Sequence, residues 1–378
     1  MASLPGNPSH MNKEGFVQPS SYLRPRGQSQ PMPHAEPESA IERGQRIGLQ
    51  RIRDFLKIRT SYDVLPLSFR LIIFDTALLV KRSLAILIQN GIVSAPLWDS
   101  KTSSFAGLLT TSDYLNLIQY YWQNPEQVQK IDQFRLNSLR DIEKAIGVQP
   151  LETVSIHPQR PLYEACRRML ESRARRMPLV DVDDETKRAM VVSVVTQYRI
   201  LKFVAVNVPE TKLLRKPLKH LKLGTYKNLE TARMESSVFE VIHQLVNNSI
   251  SSVPILNSDG VVTNVFEAVD VITLIKGGVY DDLNLNVGEA LQKRSEVREY
   301  LYGRYSSGVM LTVTQDFPGI YTCSIDDRLD TVFDTIRKSR VHRLVVVDED
   351  NRLVGILTLS DILEYILLEG EGDDAKSE

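Results

Sequence analysis

Four times along the chain a short apolar run ends in a hydroxyl or acid and then, three residues on, a charge. The runs read Gly107-Leu-Leu-Thr110-Thr-Ser-Asp113, Ser193-Val-Val-Thr196-Gln-Tyr-Arg199, Asn264-Val-Phe-Glu267-Ala-Val-Asp270 and Gly355-Ile-Leu-Thr358-Leu-Ser-Asp361. A second apolar run precedes each: Ala95-Pro96-Leu-Trp-Asp99, Met177-Pro178-Leu-Val-Asp181, Val253-Pro254-Ile-Leu-Asn257 and Leu344-Val345-Val-Val-Asp348. These runs are rich in Val, Ile and Leu, as strands covered on at least one face are. Turn signals such as Ser258-Asp259-Gly260 and Asp348-Glu-Asp-Asn351 join the two strands of a pair. Apolar residues at helical spacing follow every copy. A unit that recurs in this way is a repeat, and the repeat is the frame for all that follows.

In repeat one the pattern predicts a helix over Ala77–Asn90, strands near Ala95–Trp98 and Phe105–Thr110, and a helix over Tyr114–Trp122. Repeat two reads as strand Thr153–Ile156, helix Leu162–Arg173, strands Met177–Val182 and Met190–Val195, and helix Tyr198–Val206. Repeat three begins near Thr225, with helix Val238–Asn247 and strands Val253–Leu256 and Val261–Phe266. Repeat four begins near Tyr321, with helix Leu329–Lys338 and strands Leu344–Val347 and Leu353–Leu357. The expected fold is α/β (α+β): a β-α-β-β-α unit used four times, over residues 61–125, 149–207, 221–276 and 316–369. Residues 1–40 are rich in Pro, Ser, Gly, Gln and Asn and read as a disordered tail. Residues 41–60 carry Ile47, Leu49, Ile52, Phe55 and Leu56 among Arg and Lys, an amphipathic lead-in helix placed to cover a partner or the first repeat.

Composition adds exclusions. A chain of 378 residues with 42% apolar and 25% charged residues is globular and long enough for more than one domain. A net charge of −1 exerts no overall pull toward nucleic acid or anionic lipid, so any basic site is local. No apolar run is long enough to span a bilayer, and no secretory leader precedes the repeats. Cys166 and Cys323 read as buried thiols in a reducing compartment, so the expected location is cytoplasmic and nuclear.

The chemistry lies at the strand ends. An ionised carboxylate only accepts hydrogen bonds and can take both hydrogens of a vicinal diol, such as the 2′,3′-diol of a ribose. Asp113, Asp270 and Asp361 stand in one register and are candidate ribose clamps. Ser-Asp before an apolar helix also reads as an N-cap, although the third copy lacks the Ser. Arg199 fills that register in repeat two, and a guanidinium cannot accept, so it marks an unused site. Thr110, Thr358, Ser360 and Glu267 share those strand ends. Arg173, Arg175 and Arg176 precede one strand, and Arg340, His342 and Arg343 precede its counterpart. Paired packing of repeats two and four would bring these phosphate-binding side chains to a common centre. No Walker loop, dinucleotide glycine turn, kinase catalytic loop or zinc spacing occurs. His157 and His243 read as capping or surface groups, and no nucleophile–base pair stands out.

The repeat order and strand-end signatures resemble the cystathionine-β-synthase (CBS) domain, whose copies pack in pairs; four copies make two packed pairs. The strings Thr60-Ser-Tyr-Asp-Val-Leu-Pro66, Ala95-Pro-Leu-Trp-Asp-Ser100, Thr196-Gln-Tyr-Arg-Ile-Leu-Lys-Phe203 and Val341-His-Arg-Leu-Val-Val-Val-Asp348 resemble the gamma regulatory subunit family of the AMP-activated protein kinase, in its fungal, sucrose-non-fermenting form. That resemblance implies AMP, ADP and ATP as ligands, no cofactor, no metal and no catalysis. It implies as partners a kinase catalytic (alpha) subunit and a scaffolding (beta) subunit, and a role in energy sensing, carbohydrate metabolism and glucose derepression. It also implies that Arg175, Arg176, Thr225, Ile250, Ser251, Arg294, His342 and Arg343 line a shared nucleotide cavity. Val154 and Tyr321 would flank adenine, and Leu108 and Tyr198 would add base or phosphate contacts. Val93 and Tyr198 stand where animal members carry Arg and Lys, and Arg175 where they carry His. A kinase-independent CBS sensor of adenosyl ligands is the rival reading. A CBS-regulated barrel enzyme needs a further domain for which no segment is long enough.

One segment breaks the pattern. Val297–Gln315 interrupts the path from Arg294 to Tyr321, which is short in that family. Its opening Val-Arg is codable as a donor-like GTGAG and its closing Thr-Gln as an acceptor-like ACACAG. Without it Arg294-Ser-Glu-Asp-Phe-Pro-Gly-Ile-Tyr321 remains in frame. The expectation is a translated, unspliced intron, the alternative a genuine surface loop.

Overall fold

In a computed structural model, which describes residues 39–67, 70–126, 133–148, 154–275, 281–294 and 320–369, the chain opens with helix α1 (Ala40–Ile58). Repeat one follows as β1 (Phe74–Asp75), α2 (Val80–Gln89), β2 (Ser94–Asp99), β3 (Ser104–Thr110) and α3 (Thr111–Gln123). A helix that the apolar pattern did not announce, α4 (Leu139–Ala145), leads to repeat two: α5 (Leu162–Glu171), β4 (Arg176–Val182), β5 (Ala189–Thr196) and α6 (Gln197–Asn207). After a single turn, α7 (Leu218–Leu221), repeat three has α8 (Val238–Asn247), β6 (Ser252–Leu256), β7 (Val262–Glu267) and α9 (Ala268–Leu274). Helix α10 (287–294) precedes repeat four: β8 (Thr322–Ser324), α11 (Leu329–Lys338), β9 (Arg343–Val347), β10 (Leu353–Thr358) and α12 (Leu359–Leu368). The insertion at 297–315 and the tail before Ser39 lie outside the described residues.

Every repeat contains one antiparallel hairpin with a one-residue bulge in the same place. Ala106, Val192, Thr263 and Val354 are skipped in the pairing, each four residues before the strand end at Thr110, Thr196, Glu267 or Thr358. A bulge adds local twist and sets where the strand releases its partner. The strand ends are thus delivered in a common geometry. Residues directly across from them are Ser94, Arg176, Ser252 and Arg343.

The repeats differ in their first strand. β1 and β8 pair in parallel with β2 and β9, giving three-stranded sheets in repeats one and four. In repeats two and three the parallel pairing among the described residues shrinks to the bridges Ile156↔Leu179 and Ala232↔Ile255, so the strand expected up to Ile156 is not seen as one. Part of the reason is proline. Pro96, Pro178 and Pro254 have no N–H to donate, so these repeats keep at most the two-residue β1, whereas Val345 in the same register donates to the Tyr321 carbonyl (2.8 Å) beside the three-residue β8.

Two apolar cores hold the repeats together. Repeats one and three share a core that includes Leu84, Leu115, Ile118, Val241 and Val271. Repeats two and four share another, with Met169, Ile200, Val204, Ile336 and Ile362. Helices make these contacts, with α3 against α8 and α9, and α6 against α11 and α12. The sheets join the other way: β3 meets β5, and Val265 packs with Val345 and Val347 while Val261 bridges Arg352. Each repeat therefore has a sheet neighbour and a helix neighbour, so that the two pairs close into a ring.

The lead-in helix corrects one expectation. Leu49, Ile52 and Leu56 of α1 are buried in the core of repeats two and four, not over repeat one. Buried Arg53 donates to the carbonyls of Ile366 and Glu369 at the end of α12, where a cation satisfies free carbonyls and the helix dipole together. Gln45 donates to the Tyr365 hydroxyl (3.0 Å). The first helix is thereby bolted to the last.

The segment that begins repeat three is also displaced from its own sheet. Thr225 exchanges both backbone hydrogen bonds with Ile356 (2.8 and 2.9 Å), on the outer edge of β10 in repeat four. Two glycines permit this approach. Gly224 has φ +95° and faces the Ile356 carbonyl, and a Cβ on Gly355 would lie 2.5 Å from the Tyr226 ring. Gly355→Ala is expected to destabilise the protein by about 1–3 kcal/mol by prising Tyr226 off the sheet. Urea unfolding checks this, and an unchanged midpoint would show that Tyr226 yields freely.

Candidate functional site

Each strand end runs directly into a helix, and the third residue of that helix carries the charge. Thr110 donates to Asp113 Oδ2 from both its N–H and its hydroxyl (2.6 and 2.8 Å), and Thr358 does the same to Asp361 Oδ2 (2.7 and 2.8 Å). Glu267 N–H donates to Asp270 Oδ2 (2.8 Å). All three are capping boxes, the third included. The view that capping accounts poorly for the third copy is corrected: Asp270 closes its cap without a preceding Ser. Hydrogen bonds to Oδ2 fix each carboxylate's orientation, and among the described residues none goes to Oδ1 in any of the three. In repeat two the relation is one-way, with the Arg199 N–H donating to Thr196 Oγ1 (3.2 Å).

The environments of the three carboxylates diverge. Asp113 and Asp270 are buried, and Asp361 is half-buried. Burial, reinforced by the neighbouring Glu143, pushes Asp113 up to about 6. Burial also raises Asp270 to about 6, although the Arg294 guanidinium at 3.0 Å pulls it down. Folded-state values above the ordinary carboxylate range mean that the folded chain holds these protons more tightly than the unfolded one. Their contribution to stability is therefore full below about pH 4 and lost as pH rises through about 6. Asp270→Asn removes that loss, so its stability relative to wild type is expected to improve by about 1–3 kcal/mol from pH 4.5 to pH 7.5. Urea titrations at the two pH values check this; a pH-independent gap would contradict the buried-acid picture.

The two basic clusters converge. Arg343 lies in the field of Arg175, and Arg340 in that of Arg176 and Arg199. Burial first, and then Arg343 and Arg176, bring the Arg175 guanidinium down to about 10, so it remains charged at neutral pH. Arg175 and His342 are exposed, and Arg176 and Arg343 are half-buried. Glu267 is the acid at this centre, ion-paired with Arg343, which also donates to Ser251 Oγ (3.2 Å). An excess of guanidinium over carboxylate in a cleft is an anion receptor. His342 differs from expectation: burial and the surrounding arginines depress it to about 4, so it is neutral near pH 7. An anion that offsets those arginines would raise its proton affinity.

The other residues singled out from sequence fall around this centre unevenly. Ser360 donates to Gln197 Oε1 (3.0 Å) and so ties α12 to α6. The Tyr198 hydroxyl donates to the Ser339 carbonyl (3.3 Å), its ring lies 5.9 Å from that of His342, and Lys202 reaches its hydroxyl (3.2 Å). Val154 and Tyr321 are half-buried against the core of repeats two and four, and Ile250 against that of repeats one and three. Leu108 is half-buried on β3, across from Pro96. Arg294 reaches Asp270, Asn264 Oδ1 (3.2 Å) and the Val265 carbonyl (3.4 Å). Sequence reasoning gave no role to Glu143, which lies outside the recurring runs, or to Gln197 and Asn264, which stand within them at positions where the residue type varies. His157 accepts from the Gln159 N–H and pairs with Asp181, and His243 bonds Gln119 and Asn247, in keeping with capping and surface roles. Cys166 and Cys323 are buried and free, and burial pushes the Cys323 thiol up to about 12. Among the described residues no three acidic, His or Cys side chains gather as a metal site, and no helix is long and apolar enough to cross a membrane.

Four bulged hairpins, each delivering its strand end onto a capped helix, define a four-repeat CBS protein. The CBS domain family matches residues 148–206, 224–277 and 314–368. A protein of Methanocaldococcus jannaschii has the same fold, with a TM-score of 0.60 at 14% identity over 81% of this chain and 99% of that one. The 5′-AMP-activated protein kinase subunit gamma of Saccharomyces cerevisiae is 53% identical over 89% of this chain and 98% of its own length. The Kluyveromyces lactis subunit is 54% identical over 87% and 95%. The chain belongs to the gamma-subunit family of the AMP-activated protein kinase.

Proposed function

We propose that this chain is the adenine-nucleotide-sensing regulatory subunit of a heterotrimeric Ser/Thr protein kinase and catalyses nothing itself. The observation that carries this reading is the joining of oriented carboxylates at strand ends to a converging guanidinium centre. Asp113, Asp270 and Asp361 offer a fixed acceptor to a ribose diol, and Arg175, Arg176, Arg343 and His342 offer donors to phosphate. Arg199 leaves repeat two without a clamp. Val154, Tyr321, Ile250 and Leu108 supply apolar surface for adenine, and Thr225, Ser251, Tyr198, Thr358 and Ser360 supply polar contacts. AMP, ADP and ATP are the ligands, and their exchange sets the activity of the kinase.

The partners in this reading are a catalytic alpha subunit and a scaffolding beta subunit, in cytoplasm and nucleus, acting in carbohydrate metabolism and glucose derepression. Affinity purification of the tagged chain tests it. A kinase chain and a scaffolding chain should co-purify at equal stoichiometry, and kinase activity of that complex should respond to the AMP-to-ATP ratio. A chain that binds nucleotide but retrieves no kinase would instead support the kinase-independent sensor.

A further inference from the structure

Three of the four strand ends finish in threonine, at Thr110, Thr196 and Thr358, but the third repeat finishes in Glu267. The hairpin of repeat three holds this acid beside Ser251. Glu267 pairs across from Ser252 in β6, and the Ala268 N–H donates to the Ser251 carbonyl (3.0 Å). Arg343, which opens β9 across from Thr358 in repeat four, reaches over to both side chains. One Nη of its guanidinium is ion-paired with Glu267 Oε1, and the other donates to Ser251 Oγ (3.2 Å). Among the described residues no second carboxylate pairs with Arg343, and none pairs with Arg175, Arg176 or Arg340. The single acid at the basic centre is thus spent on one particular arginine.

The two Nη groups of a guanidinium are a fork that fits two oxygens of one phosphate. Here a carboxylate oxygen and a hydroxyl oxygen fill that fork. The Glu267 side chain is 33% exposed against 14% for Arg343, so the acid is the member that can swing into water. We infer that Glu267 is a resident anion on Arg343 that an incoming phosphate must displace, and that it thereby sets the affinity of this centre for phosphorylated ligands. This rests on the reading of Arg343 as a phosphate donor and assigns that donor the carboxylate with which phosphate competes. Once displaced, Glu267 stays near the phosphate and repels it, so both effects weaken AMP, ADP and ATP binding. Adenosine has no phosphate to compete and escapes both.

Calorimetric titration of the full-length chain with AMP, ADP and adenosine tests it in two variants. Glu267→Gln keeps the shape and an oxygen for the cap of α9 but carries no charge, and Glu267→Thr installs the residue of the other three strand ends. Both should bind AMP and ADP about tenfold more tightly than wild type, the equivalent of one charge-assisted hydrogen bond regained, and adenosine within about twofold. Without nucleotide both should unfold at a lower midpoint, because Arg343 has lost its carboxylate. Saturating AMP should close that gap and saturating adenosine should leave it, since a ligand stabilises the folded state in proportion to its affinity. Unchanged or weaker AMP binding in a folded variant would overturn the inference. So would an equal gain for adenosine, or a midpoint gap that AMP leaves open. If Glu267→Gln does not fold, Glu267→Thr decides. Equal affinity of the wild-type chain for AMP and adenosine would overturn the parent reading of the arginines as phosphate donors; wild type that prefers AMP, with no gain in the variants, overturns this inference alone.

Discussion

Asp361→Ala is expected to weaken AMP binding at the repeat-four strand end by at least about tenfold. Two charge-assisted hydrogen bonds to a ribose diol are lost, each worth roughly 1.5–3 kcal/mol, and 1.4 kcal/mol already corresponds to about a factor of ten. The structure adds a second consequence, because the same carboxylate accepts from the Thr358 N–H and hydroxyl. Part of the loss in the alanine variant is therefore loosening of the start of α12. Asp361→Asn separates the two effects: an amide oxygen keeps the cap, but the charge is gone. Calorimetry should show weakened AMP binding in both variants and a lowered unfolding midpoint mainly in alanine. Arg199→Ala, in the same register of repeat two, should remove no site. Unchanged stoichiometry and affinity in the Asp361 variants would refute the clamp.

The second large effect is expected at the basic centre. Neutralising Arg176 and Arg343 together should reduce AMP and ADP binding by about a hundredfold or more while leaving adenosine binding within a few-fold, since each charged hydrogen bond to phosphate is worth roughly 1.5–3 kcal/mol. Arg343 also holds Glu267 and Ser251, so this variant frees Glu267 to face the cleft and adds repulsion to the lost attraction. His342 should respond as well. With fewer arginines around it, its proton affinity rises toward the ordinary imidazole range, which an NMR titration of the ring reads directly. Equal losses for adenosine and AMP would show the cluster to be structural.

The repeat, its four strand ends and the shared register of Asp113, Asp270 and Asp361 were legible in the chain because strand periodicity and capping chemistry are local. A carboxylate three residues beyond a strand end is an N-cap wherever it occurs, and β-branched runs extend wherever they are covered. The arginine pairs before Met177 and Leu344 were visible for the same reason. Their convergence required only that repeats two and four be helix neighbours, which the shared core provides.

Tertiary structure alone decided the rest. Lead-in helix α1 shows its apolar stripe in sequence, but nothing local says that Arg53 reaches the end of α12, more than 300 residues away. Thr225 reads as the start of repeat three, yet two glycines let it pair with repeat four. The inequality of the three carboxylates was hidden as well. Glu143 and Arg294 act on two of them from outside the recurring runs, and burial moves Asp113 and Asp270 to about 6. Periodicity reports which face of an element is covered. The charge that ends up against that face is a property of the packed ring, because Coulomb energy follows distance in space and local dielectric, not separation along the chain.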